Sequence, residues 1–145
     1  MSSLRQQILD AIKTRLQAIT TGNGYTFNLG THVFFDRDTP FDPSELPAIN
    51  YRDLGATKGR FTNRRVTNAL KVEIDIIMAL SATRANLYDA LADVYNAINV
   101  DDRWGSLAID TTPVGDTPNF YEHERNESRT IVEITVEYET DKWSI

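Results

Sequence analysis

His32 and His123 are the chain's two imidazoles, and neither has a cysteine or second histidine near it at metal-ligand spacing. Structural or surface roles are therefore the expectation for both. Gly22-Asn23-Gly24 lacks the third glycine and preceding strand of a dinucleotide fingerprint, and no Gly-Lys-Ser/Thr phosphate loop occurs. It reads as a helix stop. Asp36-Arg37-Asp38 with Asp42 offers hard oxygen ligands, but without the glycine and distal glutamate of a calcium loop it reads as a solvated turn. Glu73, Asp75, Glu133, Glu137 and Glu139 can gather on one sheet face. Paired-carboxylate catalysis also needs a cleft that separates two pKa values, and nothing in the sequence signals one. No catalytic residue, cofactor-binding residue or metal ligand is assigned, and an enzyme is not expected.

Composition narrows the class further. The 145 residues, 41% apolar and 25% charged, suit one soluble globular domain spanning 1–145. No repeat or linker divides them. Without cysteine there is no disulfide framework or thiol nucleophile, and a reducing compartment is the natural setting. The N-terminus lacks a signal-peptide core, and no apolar run approaches a membrane span, so a soluble intracellular product is expected. A net charge of -6 is the wrong sign for a general nucleic-acid binder.

The elements that position these residues follow from periodicity. Ser3 and Gln6 match a capping box ahead of Leu4, Ile8, Ile12, Leu16 and Ile19, predicting a helix over about 4–20. Tyr25, Phe27 and Leu29 alternate and run through Gly30 into Val33-Phe34-Phe35, predicting a strand bulged at Gly30. The acidic, proline-bearing stretch 36–46 cannot be regular, and a second strand opens at Pro47-Ala48-Ile49-Asn50-Tyr51-Arg52. From Val66 to Leu80 the even positions give Val66, Leu70, Val72, Ile74, Ile76, Met78 and Leu80 while odd ones include Lys71, Glu73 and Asp75. At about 3.3 Å per residue this strand would span roughly 50 Å, so part of it projects as a hairpin arm.

A second helix begins near Ser81 or Thr83, carries Leu87, Leu91, Val94, Tyr95 and Ile98, and ends by Asn99. Leu107-Ala108-Ile109 reads as a short strand. Phe120 to Glu124, a turn at Arg125-Asn126-Glu127-Ser128, and Arg129 to Thr140 read as a closing hairpin. The order α-β-β-β-α-β-β-β defines an α+β class, with two helices on one face of a largely antiparallel (mixed) sheet.

Charge is unevenly distributed along this order. Residues 52–65 carry Arg52, Lys58, Arg60, Arg64 and Arg65 against Asp53, a sum of +4, whereas 116–145 carry eight acids against three bases, a sum of -5. The basic arm of one copy can meet the acidic segment of the next in a heterologous interface. Residues 55–65, with Phe61 as their one large apolar side chain, bury too little to order themselves and are expected to be mobile.

The acidic loop entering Glu45-Leu46-Pro47-Ala48-Ile49, the Leu70-Lys71-Val72-Glu73-Ile74 strand followed by a helix, and the closing Ile131 to Tyr138 strand share order and spacing with a known family. Over nearly its whole length the chain resembles the tail terminator proteins of long-tailed bacteriophages, the lambda minor tail protein U-like family. That resemblance implies a structural role in the virion tail. A hexameric ring, assembled in the host cytoplasm, caps the head-proximal end of the tail tube, stops its polymerisation and joins the head. The implied partners are further copies of the chain, the major tail tube protein, a head-tail connector or neck protein and, in a contractile tail, the sheath protein. DNA passes through without specific binding, and no membrane is involved.

Under this reading Arg52, Lys58, Arg60, Phe61, Arg64, Arg65 and Trp104 are the candidate subunit or tube interface. Glu73, Asp75, Glu133 and Glu137 are the candidate acidic lining of a DNA channel, where they would repel phosphate. The stretch Gly55 to Arg65 is longer and more basic than the family pattern. Another neck protein is the alternative of the same class. A small-molecule site formed by Trp104, Phe120 and Tyr121 is the alternative of a different class.

Overall fold

A computed structural model describes residues 2–122 and 127–145. His123 and the predicted turn residues Arg125 and Asn126 lie outside the described residues, as do the side chains of Arg60, Phe120 and Tyr121. The elements are α1 (Leu4–Gln17), β1 (Val33–Phe35), β2 (Ala48–Thr62), β3 (Arg65–Ala79), α2 (Arg84–Val100), β4 (Asp110–Glu122) and β5 (Glu127–Asp141). The sheet runs β1-β2-β3-β5-β4, with β1 parallel to β2 and every other pair antiparallel. The class is α+β, as the periodicity predicts.

Alternation sorts the sheet into two unlike faces. Leu70, Val72, Ile74 and Ile76 of β3 point with Val132, Ile134 and Val136 of β5 and Ile49 and Tyr51 of β2 into one core. Ile8, Ile12 and Leu16 of α1 and Leu87, Ala90 and Val94 of α2 close that core from above, so both helices cover the same face. On the opposite face, Ile77 and Ala48 form a small second cluster with Phe41.

Helix starts follow local chemistry. The Ser3 hydroxyl accepts from Gln6 N–H at 3.1 Å, but the Gln6 side chain turns to Asp10 instead of completing a box. At α2 the box is complete, between Thr83 and Asn86.

Two segments depart from the periodicity. Tyr25 to Leu29 is not a strand: buried Asp93 on α2 accepts from Thr26 N–H at 3.0 Å and Phe27 N–H at 2.9 Å, taking donors a ladder would use. Gly30 is not a bulge either. Its N–H donates to Ile19 O at 2.8 Å, and a Cβ there would stand 2.3 Å from Gln17 O, so it marks where the chain passes against the end of α1. Leu107 to Ile109 is a loop, and one longer strand, β4, occupies the place of the first two of the three strands predicted after α2.

Both sheet edges carry protective features. β1 covers β2 only from Ile49 to Tyr51, and the remainder of β2 is irregular, with register shifts between Asp53 and Ala56 and between Lys58 and Phe61. The other edge strand, β4, contains Pro113 and Pro118, residues tolerated in a sheet where the missing donor would face away from the neighbouring strand.

Candidate interaction surface

The arm expected to be unordered is a paired hairpin, with Thr57 opposite Ala69, Phe61 opposite Val66, and Asn63-Arg64 at the turn. Cross-strand pairing supplies the order that its own few apolar residues cannot. Its base is pinned by α1: Arg5 grips Asp53 through two hydrogen bonds of 2.6 and 2.7 Å, and Asp53 also accepts from Gly55 N–H at 2.6 Å. Gly55 sits at φ +101°, where a side chain would be strained. Burial works against the Asp53 charge, yet Arg5 and the Gly55 N–H outweigh it and hold the carboxyl below its ordinary range.

Most of the arm's described cations are already partnered within the chain. Arg52 lies opposite Glu73 and pairs with Glu73 at 3.2 Å and Asp75 at 3.5 Å. Lys58 donates to Asn68 Oδ1 and to the Ser144 carbonyl. Arg65, opposite Asp141, pairs with Asp141 at 3.1 Å and Glu139 at 3.2 Å. The acidic C-terminal segment therefore lies alongside its own arm. Arg64 remains exposed at the turn without an acidic partner among the described residues.

Trp104 is not a surface anchor. It is 4% exposed, it adopts φ +56° in the turn after α2, and its indole N–H donates to Thr111 Oγ1 at 2.8 Å. Asp101 holds that turn by accepting from Arg103 and Gly105 N–H groups, which lower its pKa. The exposed aromatic that periodicity does not reveal is Trp143, 87% exposed beyond the end of β5. Lys142 places its ammonium 5.9 Å from the Phe61 ring centre and 5.5 Å from that of Trp143, joining the two rings into one aromatic and basic tip with Arg64.

The four acidic candidates separate into two kinds. Asp75 is buried between Arg52 and Arg129, and Glu73 is engaged by Arg52, so Asp75 presents no open charge to solvent. Burial, then the neighbouring Glu73, pushes the Asp75 carboxyl up to about 6 despite the two guanidiniums. Arg129 reaches Glu127, itself fully buried, at 2.6 Å. Glu133 and Glu137 lie half-buried on the outer sheet face, without ion-pair partners among the described residues.

The acidic turn is shaped by Arg37. Arg37 holds Glu45 at 2.6 and 2.9 Å, and its guanidinium lies 4.5 Å from the centre of the Phe34 ring and 4.4 Å from that of Phe41. Hydrogen bonding to Arg37 drives the Glu45 carboxyl down to about 2. Asp42 caps the short turn Pro43–Glu45, while Asp36, Asp38 and Asp42 stay exposed. Among the described residues no group of three or more His, Asp or Glu side chains is placed to hold a metal ion. No helix among them is long and apolar enough to cross a membrane.

A half-open cleft of about 310 Å³ lies between α2 and β4, bordered by Tyr95, Asn99, Asp102 and Pro113. Trp104 does not border it.

The fold is thus a mixed five-stranded sheet with two helices on one face and a charged, partly covered opposite face. A chain with a similar fold occurs in the virion of a native gene transfer agent (GTA) particle. The TM-score is 0.62 at 16% identity, covering 90% of this chain and 93% of that one. At that identity the likeness is one of fold. No family model matches the chain. No curated protein matches it in sequence.

Proposed function

We propose that the chain is a structural component of a phage-like particle and, within it, the tail terminator: a hexameric ring that caps the head-proximal end of the tail tube and presents the head-joining surface. The observation that carries the reading is the fold likeness to a chain of a gene transfer agent virion across nine-tenths of both chains. Within that fold, the ordered motifs of the terminator resemblance favour the terminator among virion roles.

Ring assembly is a matter of heterologous contacts, in which each copy presents two different surfaces. A tube grows because each ring offers a face complementary to the next, so a ring that matches on one side ends the series. The tube protein and a neck protein are the partners on the two faces, with the sheath protein added if the tail contracts. Glu133 and Glu137 are the open carboxylates suited to a channel through which DNA slides without adhering. The activity is structural, and no substrate is turned over.

The test is assembly of particles with the gene deleted. Overlong tails that fail to join heads are expected. Tails of normal, fixed length that still join heads would refute the terminator reading, and normal-length tails left unjoined would reassign the chain to the neck.

A further inference from the structure

Since Arg65 is paired with Glu139 and Asp141 of its own chain, the arm of one copy has no reason to seek the C-terminal segment of another. What the arm leaves open is its tip. Phe61 is 57% exposed, Trp143 87%, and Ile145 54%, and among the described residues Arg64 and Lys142 beside them have no acidic partner. Aromatic side chains with adjacent cations are the chemistry that anchors protein interfaces, because a large apolar area is buried while charge fixes orientation.

At the opposite end of β2, before Ala48, the 36–45 turn presents the complementary chemistry. Arg37 and Glu45 cancel within the turn, whereas exposed Asp36, Asp38 and Asp42 have no cationic partner among the described residues. Phe35, half exposed, stands beside them and gives the acidic patch an apolar neighbour.

We propose that the Phe61/Trp143/Arg64/Lys142 tip of one copy docks on the Asp36/Asp38/Asp42 turn of the next copy. This rests on the ring reading and names the contact that closes the ring. The patches lie toward opposite ends of one strand, so a copy cannot satisfy its own tip, and copies joined head to tail leave one tip and one turn unfilled until the series closes on itself. Such a contact is heterologous and repeats until the ring closes. Single-stranded nucleic acid is the other chemistry that takes aromatic and basic side chains. The aspartate turn is present on every neighbouring copy, so the tip meets it wherever copies gather.

The experiment is sedimentation of the purified full chain over a range of concentrations at low salt, where exposed charge contacts are least screened. Arg64→Glu with Lys142→Glu reverses the tip, and Asp36→Lys with Asp38→Lys reverses the turn, whose three exposed aspartate positions would then sum to +1 instead of -3. Each pair of changes should weaken self-association about tenfold or more. An equimolar mixture of the two variants should recover it, since every contact in an alternating ring is again complementary. The four changes combined in one chain should recover it too.

Wild-type association by both single-patch variants, or failure of the mixture and the combined variant to recover, overturns the contact. So does a wild-type chain that stays monomeric at millimolar concentration in low salt. Rings that persist in every variant refute this contact while leaving the ring reading intact, whereas the gene-deletion phenotype tests that reading separately. A tip variant that loses binding to a single-stranded oligonucleotide but associates normally overturns the proposal in favour of nucleic acid.

Discussion

Replacing Asp75 by Asn should leave the protein as stable as wild type, or more stable, at pH 7.5. This is unusual for removal of a charge engaged by two arginines, because breaking a buried pair ordinarily costs several kcal/mol. Here Arg52 at 3.5 Å and Arg129 at 3.3 Å do not offset the burial of Asp75 and its closeness to Glu73, and the carboxyl titrates near 6 instead of its ordinary 3.8.

An acid whose pKa rises on folding binds its proton more tightly in the folded state. Its contribution to stability is therefore fully present below the unfolded value and is lost as pH rises through about 6. Between pH 7.5 and pH 5 the wild-type chain should gain about 1 kcal/mol from this group. The Asn variant, already neutral, lacks that gain. Urea denaturation of both proteins at pH 5, 6 and 7.5 measures the difference, and subtracting the two curves removes the other titrating groups, such as Glu45, whose lowered pKa acts in the opposite sense below about pH 4.5. An Asn variant several kcal/mol less stable at pH 7.5, with the wild-type pH slope retained, would refute the reasoning.

Gly30→Ala should cost about 3 kcal/mol, read as a lower urea midpoint, because the new methyl meets the Gln17 carbonyl backbone rather than a movable side chain. Asp93→Ala should cost a similar amount, about 3 kcal/mol, by orphaning the Thr26 and Phe27 N–H groups, and Asp93→Asn should recover part of it because its amide oxygen still accepts. Trp104→Phe should lose about 1 kcal/mol with the Thr111 hydrogen bond, leaving self-association unchanged in sedimentation. Glu133→Gln with Glu137→Gln should slow DNA ejection from assembled particles, and normal ejection after normal assembly would count against a channel-lining role.

The long strands were readable because one face of each is wholly buried, so alternation at Val66 to Met78 and Val132 to Tyr138 reports the core directly. Tyr25 to Leu29 has the same alternation and is not a strand. What decides there is a carboxylate on α2, 66 and 67 residues along the chain, and no local pattern announces that Asp93 points inward. The basic arm misled for a related reason. A sum of charge along a segment carries no register, and cross-strand register sets Arg52 opposite Glu73 and Arg65 opposite Asp141, cancelling charge inside the chain. Trp104 and Trp143 invert the expectation. The first is buried by a turn with three successive left-handed residues, and the second is exposed because the chain leaves the sheet at Asp141.

The prolines of β4 impose a limit on how copies can come together. A strand approaching that border from outside would find no donor at Pro113 or Pro118, and a strand approaching β2 beyond Tyr51 would meet a backbone twice out of step with a regular ladder. Copies therefore cannot fuse edge to edge into a continuous ribbon, the route by which exposed strands drive fibrous aggregation. A protein concentrated at one locus by multivalent assembly is most exposed to that hazard. With the strand borders closed to lateral propagation, any association between copies must rest on side-chain contacts, and such contacts can stop at a finite count.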